Sequence, residues 1–207
     1  MIVACSQYMS RDIHSVSEFE AHVVDHLQQA YRQGAELILF PEFLAAELLT
    51  LEKNTPMDTK EHMEALFHDY AVKYTDYLNQ LFAVHAKRYQ MAIAAGTHFR
   101  YDESDGKYRN TAIVYLPDGT VFQQHKIHRA IEMVYNRHMM TQGDEINVFS
   151  YKGAKICINV CYDNSFVESA RIAQTLGADI ILSPVCAFDE YGKNEQALFT
   201  RSRASEI

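Results

Sequence analysis

The stretch Lys155-Ile156-Cys157-Ile158-Asn159-Val160-Cys161-Tyr162-Asp163 decides how the rest of the chain is read. Lys155 to Val160 is an apolar run of strand length, and Cys161 follows it directly. A helical stretch from about Ser165 to Leu176 comes next, stopped by Gly177. The thiol therefore stands where a strand hands over to a helix, which is where α/β proteins build their sites. Two other runs end in the same way. Leu37 to Phe40 leads into Pro41-Glu42, and Thr120 to Gln124 leads into His125-Lys126-Ile127-His128. An acid, an ammonium and a thiol are thus expected to converge at one sheet edge, the requirement of an acyl-transferring cysteine enzyme. A thiol of ordinary pKa, about 8.5, needs a base or a positive neighbour to act near neutrality. Glu42 and Lys126 offer one of each, so the thiolate of Cys161 is expected to be favoured and unusually reactive.

Outward from these segments, strands alternate with helices. Ile2 to Tyr8 reads as a first strand. Ser17-x-x-Glu20 has the form of a capping box, Phe19, Val23, Leu27 and Ala30 follow at helical spacing, and Gly34 is a stop, which predicts a helix from about Ser17 to Gln33. Ala35 to Phe40 is a second strand ended by Pro41, and the acidic stretch from Glu52 to Glu61 reads as an exposed loop. Leu66, Tyr70, Tyr74, Tyr77, Leu78, Leu81 and Val84 make His62 to Arg88 a long amphipathic helix, with room for one break. Met91 to Ala95 is a third strand closed by Gly96. Thr111 to Leu116, the turn Pro117-Asp118-Gly119 and Thr120 to Gln124 form a hairpin with Lys126 at its exit. Ala178 to Ser183, before Pro184, is a further strand. The mixture predicts an α/β fold of sheets covered by helices.

Composition narrows the function classes. A chain of 207 residues, 48% hydrophobic, can bury one substantial core. The 19 basic and 27 acidic residues give a net charge of −8, which argues against nucleic acid or an anionic membrane as the main partner. A small molecule or a second copy of the chain is expected instead. No apolar stretch approaches the roughly 20 residues of a membrane span and the amino terminus has no signal-peptide pattern, so a cytoplasmic protein is expected. Cys5, Cys157, Cys161 and Cys186 then read as thiols. His22 with His26, and His125 with His128, lack a third ligand at metal spacing, and no glycine-rich phosphate loop occurs, so neither metal nor cofactor is expected.

The three segments and their spacing resemble the nitrilase superfamily, also called carbon-nitrogen hydrolases, from about Ile2 to Ile207. The resemblance implies a four-layer α-β-β-α sandwich that associates through helices into homodimers or larger homo-oligomers. It also implies Cys161 as the nucleophile, Glu42 as general base and acid, and Lys126 as oxyanion stabiliser with a backbone N–H just after Cys161. The substrate would be a small non-peptide amide. Gly143-Asp144-Glu145 with Val148-Phe149 resembles the glycine-acid turn that follows the family's lysine segment. Many relatives carry a fourth acid between the two; counting back from Gly143 gives Asn136, counting forward from Lys126 gives Glu132, and Glu132 is preferred as a carboxylate able to orient Lys126. Cys161-Tyr162-Asp163 looks like the amidase and carbamoyl-amide branches, since true nitrilases tend to have tryptophan and glutamate after the cysteine. Ala95-Gly96-Thr97-His98-Phe99 with Gly143 to Ile146 looks like a branch sometimes fused to an acetyltransferase domain. Val167 stands where relatives often have proline, which should alter a helix start. Tyr162, Tyr135 and Phe188, with Tyr191, are candidates to line the substrate pocket. Relatives usually continue beyond a segment like Arg201 to Ile207, so residues 1–207 are expected to form a single domain that is C-terminally incomplete. Two alternatives stay open, an inactive binding or assembly module of the same fold and an acyltransferase using the same three residues.

Overall fold

In a strand, successive side chains face opposite ways, and along the central strands each set finds a different partner. Met91, Ile93 and Ala95 point to one side with Ile38, Ile113 and Tyr115, and meet Phe19, Val23 and Leu27 and also Tyr70, Tyr74, Leu78 and Phe82. Ala92 and Ala94 point to the other side with Leu37, Ala112, Val114 and Leu116, and meet Phe149, Ile156, Ile158, Val160 and Leu182. Cys157, between Ile156 and Ile158, faces outward to Ala173 and Ala178. The result is helix, sheet, sheet, helix, the α-β-β-α order. Each fully buried Leu, Ile or Phe in these layers contributes roughly 1.5–3 kcal/mol of transfer free energy.

The computed structural model describes residues 1–52, 59–129, 140–187 and 189–207. In chain order the elements are β1 (Val3–Cys5), α1 (Val16–Arg32), β2 (Leu37–Leu39), a 3₁₀ segment (Leu44–Glu52), α2 (Lys60–Tyr89), β3 (Ala92–Asp102), β4 (Lys107–Tyr115), β5 (Val121–His125), β6 (Val148–Tyr151), β7 (Ala154–Ile158), a 3₁₀ turn (Cys161–Ser165), α3 (Val167–Thr175), β8 (Ile180–Leu182) and α4 (Glu190–Ala204). The first sheet runs β1-β2-β3-β4-β5 and the second β6-β7-β8. β1, β2 and β3 are mutually parallel, β3-β4 and β4-β5 antiparallel, and β7 pairs parallel with β8. Among the described residues no helix is long and apolar enough to cross a membrane.

Several expectations change in detail. The box at the start of α1 is two residues earlier: Ser15 Oγ accepts from Glu18 N–H at 3.2 Å and Glu18 Oε2 accepts from His14 N–H at 2.9 Å. Glu20 instead accepts from Tyr77 O–H, 3.2 Å away on α2. α2 is a single unbroken helix, with Thr59 as cap and Gln90 in the left-handed conformation at its end. Val84, in step with its apolar stripe, is 55% exposed. The helix expected from about Ser165 is present as α3, with a 3₁₀ turn ahead of it over Cys161–Ser165. Most consequential, Gly96 does not close β3. The strand runs on through a bulge between Ala94 and Thr97 that glycine makes possible with φ 64°. The first half of β4 and the whole of α4 were not legible, because Lys107-Tyr108-Arg109-Asn110 is polar and α4 buries Gln196 while exposing Leu198.

Candidate active site

Glu42 is set by the chain on both sides of it. Pro41 lies so close to the β3 bulge that a Cβ at Gly96 would fall 1.9 Å from Pro41 O. Phe43 takes φ 58°, and its N–H donates to Thr97 Oγ1 at 3.0 Å. The Gly96-Thr97 pair thus props the turn that carries the carboxylate, which is 4% exposed. Lys126 leaves β5 with its N–H on Asn110 O at 2.9 Å and its C=O accepting from Gly143 N–H at 2.8 Å. Gly143 fits there because any Cβ would lie 2.8 Å from that of His125. Cys161 takes φ 49° between β7 and the 3₁₀ turn, with its N–H on Pro184 O at 2.9 Å. A non-glycine residue in the left-handed region costs on the order of 1–2 kcal/mol, and such strain concentrates at functional sites.

These three turns bring their side chains together. Lys126 Nζ lies 2.7 Å from Glu42 Oε1, and Asn110 Nδ2 donates to the same oxygen at 2.8 Å. Cys186 N–H donates to Glu42 Oε2 at 3.3 Å. The Cys161 thiol lies near enough to Glu42 to feel the carboxylate's charge, and its sulfur is 4.0 Å from Cys186 O. Asp163, 1% exposed, ties the lysine segment to the cysteine turn. Its Oδ1 accepts from His128 N–H at 2.7 Å and pairs with His128 Nδ1 at 3.0 Å, while its Oδ2 accepts from Val160 N–H at 3.0 Å and Ile127 N–H at 3.4 Å.

Electrostatics correct one expectation. Burial, then the negative charge of Glu42, pushes the Cys161 thiol well above its ordinary value, with Lys126 pulling the other way. The resting thiol is therefore protonated and not a preformed thiolate. Burial opposes the charge on Lys126, but Glu42, Cys161 and Asp163 together hold its ammonium above the usual lysine value. The Cys186 thiol is pushed up to about 11 by burial and by Glu42.

The family model described as carbon-nitrogen hydrolase matches residues 2–207. The chain belongs to this family. The probable hydrolase YhcX of Bacillus subtilis (strain 168) is 31% identical over 204 residues, which cover 97% of this chain and 37% of that protein. The omega-amidase NIT2 of Bos taurus is 26% identical over 185 residues, 86% of this chain and 61% of that one. The chain thus spans between about a third and three fifths of the length of these curated relatives. Saccharomyces cerevisiae Nit3, a member of branch 10 of the nitrilase superfamily, superposes with a TM-score of 0.75 at 20% identity, over 97% of this chain and 70% of that one. A carbon-nitrogen hydrolase from Helicobacter pylori G27 gives 0.77 at 20% identity, over 97% and 68%. The four-layer sandwich is the nitrilase-type fold.

Of the residues singled out in the sequence, Glu42, Lys126 and Cys161 are brought together. Tyr162 packs its ring edge-on against Phe166, which stacks on His128 at 3.7 Å. Glu132, Tyr135, Phe188 and Asn136 lie outside the described residues, and Tyr191 is 74% exposed on α4. Sequence reasoning missed Asn110, the positioning role of Asp163 and the backbone of Cys186. Of these only Asp163, inside the Cys161-Tyr162-Asp163 motif, carried a signal. The histidine pairs are otherwise engaged: His22 with Glu47, His26 with Ser6, His125 with Thr111 and His128 with Asp163. Among the described residues no three His, Cys, Asp or Glu side chains form a metal-holding group.

Proposed function

We propose that this chain hydrolyses a small non-peptide amide through a thioester on Cys161. The observation that carries the reading is the buried Glu42 carboxylate, held at 2.7 Å by Lys126, with its charge acting on the Cys161 thiol at a strained turn. Glu42 accepts the thiol proton as sulfur attacks the amide carbon, and the C–S bond forms. The charge that develops on the carbonyl oxygen is taken by Lys126 and by the Tyr162 N–H, at a helix start where N–H groups lack intrahelical acceptors. As the C–N bond breaks, Glu42 returns the proton to the departing ammonia or amine. Water then attacks the thioester and gives its proton to the same carboxylate, the acid leaves, and the proton returns to Cys161 sulfur. A proton relay of this kind suits a resting thiol, since acid and base are both present before substrate arrives.

The relatives named omega-amidase favour terminal amides as the first substrates to try. In the same proposal Glu132 orients Lys126, Tyr162, Tyr135 and Phe188 line the pocket, residues 1–207 act as one carbon-nitrogen hydrolase domain, and copies associate through their helices in a thiol-preserving cytoplasm. The test is ammonia release from a panel of short terminal amides, with intact-mass analysis of quenched enzyme. Release that stops in Cys161→Ala, with an acyl adduct mapped to Cys161, is the expected result. A product carrying an added amine or alcohol in place of the free acid would mean acyl transfer. Neither adduct nor release from any amide would sink the reading and leave a binding or assembly module.

A further inference from the structure

We propose that Asn110 is the positioning residue of the base: its side chain anchors Glu42 Oε1, so that Oε2 is the oxygen presented to the Cys161 thiol. The inference rests on the reading of Glu42 as the base and adds a division of labour between its two oxygens. Asn110 is 4% exposed, its Nδ2 is 2.8 Å from Oε1, and Lys126 Nζ is 2.7 Å from that same atom. An oxygen with two lone pairs is filled by two donors. Oε2 receives a longer bond, 3.3 Å, from Cys186 N–H, and so has room for the thiol proton.

The reaction explains why Lys126 alone would be a poor anchor. An ammonium on a flexible four-carbon stem is a rotatable point charge, and in the proposed mechanism it follows the oxyanion. While it does so, the carboxylate needs a partner that stays put. Asn110 is such a partner, a planar amide on β4 in register with Phe99 of β3. The same residue's C=O accepts from Lys126 N–H at 2.9 Å. One position therefore sets the lysine segment with its main chain and the base with its side chain, and substitution removes only the second. The other titratable groups facing Glu42 are Lys126 and the thiols of Cys161 and Cys186, with Asp163 acting on Lys126.

The test needs no known substrate. Alkylation of Cys161 by methyl vinyl sulfone, a Michael acceptor that carries no amide, is followed by intact mass and peptide mapping from about pH 4 to pH 9, for the full chain and for Asn110→Ala, Asn110→Asp, Asn110→Ser and Glu42→Gln, each checked for folding by circular dichroism and melting. Removing a donor from a carboxylate favours its protonated form. The rise of labelling with pH should therefore move upward by about one unit in Asn110→Ala, or roughly tenfold slower labelling on the acid side. Asn110→Asp, near-isosteric and bringing a second carboxylate, should move it further, and the hydroxyl of Asn110→Ser should restore part of it. A folded Asn110→Ala with the parent's profile, while Glu42→Gln is slow, would overturn the role of Asn110 alone. Glu42→Gln labelling as fast as the parent would overturn the base and this inference together. If Asn110→Ala does not fold, Asn110→Asp decides by the direction of its shift.

Discussion

Two buried carboxylates leave the same stretch of chain, Glu42 at 4% and Glu47 at 1% exposure, and they differ in what faces them. Glu47 Oε2 accepts from Tyr8 O–H at 2.6 Å, Oε1 accepts from Arg11 N–H at 2.9 Å, and His22 Nδ1 is 3.2 Å from Oε1. The Tyr8 ring also stacks on His22 at 4.1 Å. Burial, then Glu47, pushes the Tyr8 hydroxyl far above its ordinary value, so the phenol keeps its proton. Glu47 is a tether joining the segment after β1, helix α1 and the 3₁₀ segment. Glu42 faces an ammonium and a thiol, the two groups that the proposed mechanism sets in motion. A buried acid is not by itself a site; an acid beside a nucleophile and a movable cation can be one.

Isosteric substitution tests that contrast most strongly. Glu42→Gln removes the proton acceptor, and general acid–base catalysis contributes about 10²–10⁴-fold. Amide turnover should fall by roughly 10³-fold, and stability should fall as well, because the new NH₂ meets the donors of Asn110, Lys126 or Cys186 and the buried Lys126 ammonium loses its counter-charge. Glu47→Gln should cost stability alone. Its amide NH₂ would confront Tyr8 O–H or Arg11 N–H, donor against donor, at a cost of about 1–3 kcal/mol, or roughly 2–4 °C of melting temperature per kcal/mol. Turnover at 25 °C should stay within a few-fold of the parent. Kinetics and melting of the two variants side by side would break the contrast if both lost activity alike.

A smaller effect is expected beneath the site. Gly96→Ala combines a left-handed φ of 64° with a Cβ 1.9 Å from Pro41 O, main chain that cannot swing aside. A loss of about 3 kcal/mol or more is expected, together with slowed Cys161 labelling because the displaced atom belongs to the residue before Glu42. Gly34→Ala has a similar φ, 74°, with nothing within 4 Å, and should cost about 1–2 kcal/mol with no change in labelling. Equal effects in the two variants would show that conformation, and not contact with the Glu42 turn, is what Gly96 provides.

The same comparison explains what could be read from the chain. Leu37 to Phe40, Thr120 to Gln124 and Lys155 to Val160 are local signals, apolar runs ending in punctuation, and they placed Glu42, Lys126 and Cys161 at strand exits. The layer order was not local. Only the pairing of Ala92, Ala94 and Val114 with Ile156 and Ile158 across the sheets shows that alternate residues serve two cores. Asn110 was invisible for a related reason. It lies in a polar half-strand, and its partner Glu42 is remote in sequence and joined only by the fold. Ala95-Gly96-Thr97 looked like a branch signature, yet its physical work is the bulge and the Thr97 hydroxyl that prop Glu42. The thiol's charge state went against expectation because the sequence shows which groups meet, whereas burial decides which protonation state wins.

A third buried titratable group sharpens the comparison by having no counter-charge among the described residues. His98, 2% exposed on β3 just beyond the bulge, is pushed down to about 3, first by burial and then by Arg100. An unfolded histidine titrates near 6.5. Between those values the unfolded chain binds a proton that the folded chain refuses, so stability rises with pH across this window. The contribution is complete above about pH 6.5 and is lost as pH falls, by up to about 1.4 kcal/mol per unit. Surface carboxylates with lowered values, Asp102 beside Ser104 and Asp118 beside Thr120, add an acid-side slope of their own, but it is common to parent and variant. Urea unfolding of the parent and of His98→Phe at pH 7.5 and pH 5 isolates the histidine. The parent should lose more stability than the variant on acidification. An identical loss in both would mean that His98 takes up its proton inside the fold, where the ring lies 5.9 Å from Phe82 and a charge has little to face but Arg100.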